Sequence, residues 1–280
     1  MKKLILLLSV VLVALVVVAL LLPPISNPQE NALPTTEPSE NSVPTESNPT
    51  DPTEPTVPTL QQNPFTPSDF ALQDDYMACL TAAYQLGIDV SKYQQNVDWK
   101  KVADSGITFV MIRIGGRGYG QAGNLYADEL AQSHYEGAKA AGLKVGAYFF
   151  SQAITRSEAR EEAQYAMELT ADWQLDMPIV FDWEYVSDTA RTANTDAETV
   201  TACAAAFCDT ILAANKQAMI YVRPELEKLN LEQLAVYDHW VAWYSNTMDY
   251  PNEFAMWQYT KTGKVPGISG NVDINLYFIQ

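Results

Sequence analysis

Two acidic residues, Asp182 and Glu184, are the residues of this sequence most suited to chemistry. They follow Pro178 and the apolar run 179–181, which is β-branched and aromatic and so favours a buried strand. Because side chains alternate along a strand, the two carboxyl groups are expected on one face. Like charges this close push their pKa values apart, so one carboxyl can act as a general acid while the other stays ionised. Taken alone, the two acids are equally compatible with a solvated strand end.

Apolar runs alternate with helical periodicity from Leu86 onward, and this pattern predicts the elements that would position the acids. We expect eight strands, at 86–91, 109–115, 144–150, 178–185, 218–223, 239–244, 255–259 and 272–278. The clearest helices are expected at 157–173 and 196–215. The first of these starts with a capping-box pattern at Thr155 and Glu158. Strand–helix alternation predicts an α/β fold with a parallel sheet, and eight strands with fewer helices toward the C-terminus predict a barrel.

Acidic residues recur at the strands that would meet in such a barrel. In barrels of this kind the chemistry lies at the carboxyl ends of the strands. The first strand contains Asp89 within an apolar run, where burial of an acid needs a reason. The last strand carries Asp273 and Asn275 on one face. Because the first and last strands of a closed barrel are neighbours, Asp89 and Asp273 are expected close together, which brings four acids, with Asp182 and Glu184, to one mouth.

Aromatic residues collect near the same strand ends. They are Tyr148, Phe149, Trp183, Trp243, Tyr244, Trp257 and Tyr259. Flat rings with polar edges suit stacking on sugar faces, although for each residue alone ordinary core packing is the favoured interpretation. As a set beside carboxylates, they favour a carbohydrate-binding cleft.

The composition argues against several function classes. The formal net charge of −17 is opposite to that of a nucleic-acid-binding protein. Three cysteines, Cys79, Cys203 and Cys208, do not make a disulfide framework. The only histidines, His134 and His239, are not spaced with cysteines as metal ligands. We therefore expect no metal and no cofactor.

The N-terminal residues predict a membrane anchor. Residues 4–22 are apolar except for Ser9 and follow two lysines, which predicts a transmembrane segment at 1–22 with the rest of the chain exported. A cleaved signal peptide is the alternative, but Pro23 and Pro24 stand where a small-x-small cleavage site would be. The expected location is the extracellular face of a bacterial cell membrane, or the medium after signal cleavage.

Three further regions follow the anchor. Residues 23–68 contain twelve of the sixteen prolines among Thr, Ser, Glu, Asn and Gln, which predicts a disordered linker. Residues 69–85 are expected to form a lead-in segment with a short helix. Residues 86–280 are expected to form the catalytic domain.

Five segments, in this order and spacing, carry a family resemblance. They are Gly87-Ile88-Asp89-Val90-Ser91 with Gln94; Phe109-Val110-Met111-Ile112-Arg113 with Gly115; Gly146-Ala147-Tyr148-Phe149; Asp182-Trp183-Glu184; and a tail from Trp257-Gln258-Tyr259-Thr260 through Gly263 and Val265-Pro266-Gly267-Ile268 to Val272-Asp273-Ile274-Asn275. From Leu86 onward the chain resembles glycoside hydrolase family 25, the muramidase-type lysozymes. The resemblance implies a TIM-like flattened (β/α)5(β)3 barrel that hydrolyses the β-1,4 bond between N-acetylmuramic acid and N-acetylglucosamine in peptidoglycan.

The resemblance also implies residue roles. Glu184 would be the general acid, and Asp182 its partner that orients the substrate's 2-acetamido group as an internal nucleophile, although a direct carboxylate nucleophile stays open. Asp89 and Asp273 would be flanking acids. The residues implied in substrate binding are Tyr148, Trp183, Trp243, Tyr244, Trp257, Gln258 and Asn275. Many relatives have His where this chain has Phe149, which leaves fine substrate preference open.

The expected partners are peptidoglycan glycan strands and, through the N-terminal helix, the membrane; the chain is expected to be a monomer. Two other functions remain open. One is a non-catalytic wall-binding module, although the presence of all four acids argues against it. The other is a glycosidase acting on chitin-like polymers, although the longer acid series Asp-x-x-Asp-x-Asp-x-Glu of chitinases is missing before Glu184.

Overall fold

The structure of the protein, a computed structural model, describes residues 59–278. The anchor predicted at 1–22 and the linker residues before Thr59 lie outside the described residues. Within residues 59–278, no helix has the length and apolar character needed to cross a membrane.

The segment before the barrel is a β-hairpin, so the short helix predicted within 69–85 is wrong. A single 3-10 turn, Pro67–Asp69, leads into strands β1 (Phe70–Gln73) and β2 (Tyr76–Cys79), which pair antiparallel. Asp74 in the connecting turn has a left-handed backbone with φ of 51°, a conformation that Asp tolerates better than most residues.

Aromatic packing attaches this segment to the domain. The ring of Phe65 lies 5.4 Å from that of Phe70 and 4.7 Å from that of Phe278. The backbone N–H of Asn63 donates to the carbonyl of Pro251. The end of the predicted disordered linker, residues 59–68, is therefore structured, because its one aromatic residue finds apolar partners on the domain.

The remaining elements alternate as the sequence predicts. In chain order they are β3 (Tyr84–Val90), α1 (Trp99–Asp104), β4 (Phe109–Arg117), β5 (Leu125–Ala127), α2 (Ala131–Ala140), β6 (Lys144–Ser151), α3 (Arg156–Leu169), β7 (Ile179–Trp183), α4 (Ala197–Ala213), β8 (Ala218–Val222), β9 (Asp238–Ala242), β10 (Met256–Gly263) and β11 (Val272–Phe278). Within the described residues, eight strands close a barrel in the order β3, β4, β6, β7, β8, β9, β10, β11 and back to β3. The short β5 extends β4 antiparallel. The eight predicted strands and the α/β barrel are confirmed.

One strand runs against the expected parallel direction. β11 pairs antiparallel with both β3 and β10, whereas the other neighbours around the barrel are parallel. The start of β11 therefore lies at the same mouth as the carboxyl ends of the other strands. This reversal is what sets Asp273 directly opposite Asp89 in the register.

The helices that cover the barrel begin with side-chain caps. The hydroxyl of Thr155 accepts the N–H of Glu158 at the start of α3, and the Asp196 carboxylate accepts the N–H of Thr199 at the start of α4. Both predicted helices are confirmed within a few residues.

A fifth α-helix, implied by the family resemblance, is replaced in the described residues by a 3-10 turn, Pro224–Leu226, after β8. Pro224 opens this turn, and Glu227 ends it with a left-handed φ of 49°. Because such a backbone cannot continue a helix, the connection stays a loop.

Alternation along the strands separates two apolar regions. One fills the barrel interior with side chains that include Phe109, Met111, Val180, Met219 and Met256. The other lies between the barrel and its helices, and includes Ile179, Phe181 and Trp183 of β7. This division decides which side chains of each strand can reach the mouth.

Candidate active site

A cleft of about 200 Å³ opens at the mouth where the strands' carboxyl ends meet. Its lining residues are Asp89, Tyr148, Asp182, Glu184, Tyr221, Arg223, Trp240, Tyr244, Gln258, Lys261 and Asp273. The four acids selected from the sequence all lie here, as do Tyr148, Tyr244 and Gln258. Trp183, Trp243, Trp257 and Asn275 do not line it.

The alternation of β7 explains the placement of its acids. Val180 and Asp182 face the barrel interior, so Trp183 faces outward toward the helix layer. Glu184 follows the last strand residue and returns to the cleft. The expectation that Asp182 and Glu184 share a face agrees with this geometry, and the same alternation excludes Trp183 from the cleft.

Asp89 is the most completely hydrogen-bonded of the four acids. Its Oδ2 accepts a hydrogen bond from Gln258 Nε2 at 2.8 Å and another from Asn275 Nδ2 at 2.9 Å. Burial raises the pKa of Asp89 well above its usual range, and the neighbouring Asp273 charge raises it further. The two amides hold the carboxyl group in one orientation.

Asp182 is buried but has an unused oxygen. Its Oδ1 has no hydrogen-bond partner among residues 59–278. Burial raises the pKa of Asp182 well above its usual range, and the charges of Glu184 and Asp89 add to that effect. A buried carboxyl oxygen without a hydrogen-bond partner lowers the stability of the fold. Such an oxygen is often found where a side chain binds a ligand or takes part in catalysis.

Asp273 completes the acid cluster beside Asp89. Burial raises the pKa of Asp273 to about 6; its hydrogen bond with Asp89 opposes that increase, and the Glu184 charge adds to it. Burial thus displaces the pKa of Asp89, Asp182 and Asp273 in the same direction, and strongly shifted pKa values are common at sites of acid–base chemistry.

Arg223 pairs with Glu184 and was not selected from the sequence. Its Nη1 donates to Glu184 Oε2 at 2.6 Å, while Nε and Nη2 donate to Glu225 Oε1 at 2.9 and 2.6 Å. The sequence feature that could have indicated Arg223 is its position directly after the apolar run of β8, because a charged residue placed there reaches the mouth of the barrel.

A second contact missed from the sequence fixes the main chain of Glu184. Gln152 is fully buried, donates from Nε2 to the carbonyl of Glu184 at 3.0 Å, and accepts from the Thr192 hydroxyl at 2.6 Å. A buried ionic group lies next to this contact. Ser151, which precedes Gln152, donates a hydrogen bond to the Glu162 carboxylate, and that carboxylate also accepts one from Arg117. Burial raises the pKa of Glu162 to about 7, with the Ser151 and Arg117 hydrogen bonds opposing that rise.

The two amide side chains predicted to bind substrate, Gln258 and Asn275, form hydrogen bonds with other side chains of the protein. Gln258 Oε1 accepts from the hydroxyls of Tyr221 at 2.7 Å and Tyr244 at 2.8 Å, which turns its Nε2 toward Asp89. Asn275 is fully buried, and its Oδ1 accepts from Trp240 Nε1 at 2.9 Å. Asn275 thus orients Asp89 and is not available to a ligand, which corrects its predicted role.

Three tryptophans that were predicted to bind substrate, Trp183, Trp243 and Trp257, do not line the cleft. Trp257 is fully buried, with its ring 5.0 Å from that of Phe70 and its Nε1 donating to the Trp243 carbonyl. Trp183 and Trp243 line a neighbouring cavity on the outer side of the strands. Alternation along β7 and β10 turns the rings of Trp183 and Trp257 away from the acids, and Trp243, which follows β9, lines the same cavity as Trp183.

The site does not resemble a metal centre. Among residues 59–278 there is no group of three or more His, Cys, Asp or Glu side chains placed to bind a metal ion. Neither histidine lines the cleft. The residues present are suited to proton transfer and polar recognition.

Several carboxyl groups at the mouth of an α/β barrel are compatible with glycoside hydrolysis, which uses a pair of acidic residues. Residues 88–268 match the model of glycosyl hydrolases family 25, and the chain belongs to this family.

Known proteins of similar sequence and fold agree with that family. The chain is 28% identical over 194 residues to the autolytic lysozyme of Clostridium acetobutylicum, covering 68% of this chain and 54% of the relative. It is 27% identical over 203 residues to lysozyme M1 of Streptomyces globisporus, covering 68% and 67%. The structure of a bacterial lysozyme from Streptomyces coelicolor has a TM-score of 0.56 at 25% identity and covers 70% of this chain and 92% of that one. The matched region spans about half the length of the Clostridium relative.

Proposed function

We propose that this chain is a peptidoglycan hydrolase that cleaves the β-1,4 bond between N-acetylmuramic acid and N-acetylglucosamine. The observation that carries the proposal is the convergence of Asp89, Asp182, Glu184 and Asp273 on one cleft. Membership of a glycosyl hydrolase family and the similarity to two proteins named as lysozymes support the choice of substrate.

Glu184 is the proton donor to the leaving oxygen in this proposal. Its side chain is 31% exposed, so it can exchange protons with water, whereas Asp182 is enclosed. Arg223 and the Gln152 contact hold its carboxylate and its main chain. A general acid must be fixed within hydrogen-bond reach of the atom that it protonates, and both contacts serve that need.

Asp182 is the residue that orients the substrate's 2-acetamido group. Its unpaired Oδ1 can accept the acetamido N–H, which would satisfy the buried oxygen on substrate binding. The acetamido oxygen is then free to attack the anomeric carbon as an internal nucleophile, a recognised variant of the two-carboxylate scheme. Asp89 and Asp273 flank the reacting sugar and support the developing positive charge.

The sugar is held by polar and aromatic side chains of the same cleft. Tyr148, Tyr221, Trp240 and Tyr244 line it. Lys261 Nζ lies 5.0 Å from the Tyr244 ring centroid and covers one side of that ring. We further propose that the chain acts as a monomer on the outer face of the cell membrane, tethered through its N-terminal apolar segment.

Product analysis tests the function. The full chain is incubated with purified peptidoglycan, and the new reducing ends are reduced with borohydride and identified. A muramidase yields reduced muramic acid, whereas a glucosaminidase yields reduced glucosamine. Chitin digested in parallel tests the alternative glycosidase. Sedimentation with cell walls without any new reducing ends would instead support a wall-binding module.

A further inference from the structure

A second cavity adjoins the proposed catalytic cleft through one shared residue. It has a volume of about 320 Å³, and Arg223 belongs to the walls of both cavities. We call it the leucine cavity, because Leu226, Leu229 and Leu231 line it together with Trp183 and Trp243. It lies beside the 224–231 loop, where a short 3-10 turn replaces the implied fifth helix.

The leucine cavity has apolar side chains and two basic residues among its lining. Leucine and tryptophan side chains form the interior. The charged lining residues are the basic Arg223 and Lys228 and the acidic Glu227, and Arg223 is also paired with Glu184 and Glu225. The indole N–H of Trp183 has no acceptor among the described residues. Its volume lies at the small end of the roughly 300–1,000 Å³ found for ligand sites. It therefore suits a small ligand with apolar groups and a carboxylate.

A third cavity, which adjoins the cleft through different residues, is lined mainly by polar side chains. It has a volume of about 490 Å³ and shares Tyr244 and Lys261 with the cleft. Hydroxyl and amide side chains such as Ser245, Asn246 and Thr260 line it. These groups suit further sugars of a glycan strand.

We propose that the leucine cavity binds the first residues of the peptide stem that muramic acid carries on its lactyl group. This rests on the proposed function, because the stem reaches the cavity only when the glycan occupies the cleft. The stem combines alanine methyl groups with an acidic residue. Its methyl groups enter between Leu229 and Trp243, and its carboxylate faces Arg223 and Lys228.

Two substrates and one variant test the proposal in the full chain. The substrates are peptidoglycan with its stems and the same glycan strands after amidase removal of the stems. Leu229→Trp fills the cavity, and Leu72→Trp, on the exposed face of the β1–β2 hairpin, is the matched control. Wild type and Leu72→Trp are expected to cleave the stem-bearing substrate with kcat/KM roughly tenfold or more above the stripped one. Leu229→Trp is expected to reduce that ratio to near one while its rate on stripped glycan is unchanged.

Equal kcat/KM on both substrates in wild type would overturn the stem site, and so would an equal loss on both substrates in Leu229→Trp. A binding measurement separates this result from failure of the proposed function. Calorimetric titration with soluble N-acetylmuramoyl dipeptide, compared with N-acetylmuramic acid, should give heat from the dipeptide in wild type and at least tenfold weaker binding in Leu229→Trp. If neither substrate yields reducing ends, the muramidase proposal fails, and the stem-site proposal is then tested by this titration alone. Absence of dipeptide binding would overturn the stem-site proposal.

Discussion

Arg223 Nη1 lies 2.6 Å from Glu184 Oε2, and the same guanidinium contacts the surface residue Glu225. The arginine is therefore held from both sides, and its planar donors restrict where the Glu184 carboxylate can point. Its side chain is 24% exposed, so this is neither a fully buried ion pair nor a free surface pair. The contact orients the proposed proton donor before substrate arrives.

Glu184→Gln should abolish most hydrolysis without unfolding the domain. The amide keeps the size of the side chain and can still contact Arg223, but it cannot donate a catalytic proton. We expect release of reducing ends from peptidoglycan to fall roughly 100- to 10,000-fold, the range of general acid–base catalysis. Glu225→Gln is the matched control, since it changes the other carboxylate on the same arginine. Near-normal activity in Glu184→Gln would remove this residue from the mechanism.

On glycan strands without peptide stems, Arg223→Met should lower kcat more than it changes KM. Methionine preserves much of the apolar stem but leaves Glu184 without its orienting donor. A misplaced catalytic group can cost up to about 100-fold, and we expect a loss of roughly 10- to 100-fold in steady-state kinetics. If Arg223 acts only as a surface ion pair, the variant will instead keep its kcat and lose stability by no more than about 1 kcal/mol.

Gln152→Leu should reveal whether the main-chain contact positions Glu184. The change leaves the Glu184 carbonyl and the Thr192 hydroxyl without partners in a buried region. Each unsatisfied group costs about 1–3 kcal/mol, so the free energy of unfolding in urea should fall by that order. We also expect kcat to fall about tenfold with KM nearly constant.

A purely structural role for Gln152 would give the loss of stability and leave kcat unchanged below the unfolding transition. Gln174→Leu, at an exposed position, is the matched control and should change neither quantity.

Asp273→Asn should stabilise the protein at neutral pH while impairing activity. The pKa of about 6 in the folded protein lies above the usual value of 3.8 for an aspartate, so the folded state holds this proton more tightly than the unfolded state does. Its contribution to stability is complete below pH 4 and is lost as the pH rises through about 6. Two pKa units correspond to about 3 kcal/mol as an upper limit.

Urea unfolding at pH 4 and at pH 7 measures this effect. Wild type and Asp273→Asn should differ little at pH 4, and the variant should be the more stable protein at pH 7. Asp172→Asn, at an exposed position, should follow the wild-type pH dependence. A variant that is equally destabilised at both pH values would contradict the assigned cause.

The strands and the acidic residues on them could be predicted, because apolar runs and the alternation of side chains depend only on residues close together in the sequence. Alternation in the 178–185 run places Asp182 inward, and the same rule turns Trp183 outward, so its role as a sugar platform could have been rejected from the sequence. The strand 272–278 was also recognisable, but its antiparallel direction depends on how the barrel closes. The hairpin at 70–79 escaped prediction because packing on the domain determines its structure.

The residues that hold Glu184 could not be predicted in the same way. Gln152 and Arg223 are separated from it by 32 and 39 positions, and each contact depends on which strands are neighbours. Neither residue belongs to a local motif. Both residues lie directly after an apolar strand, which indicates that they reach the mouth of the barrel. Their contact with Glu184 can be predicted only once the order of the strands is known.

The antiparallel β11 has a consequence for biosynthesis. Asn275 on this strand orients Asp89 from 186 positions further along the chain, and Asp273 lies opposite the same acid. A nascent chain that has emerged only as far as β10 has an open barrel and an incomplete acid cluster. In the proposed hydrolase, translation order therefore delays assembly of the site, because the cleft lacks Asp273 and the Asn275 contact until β11 has been made.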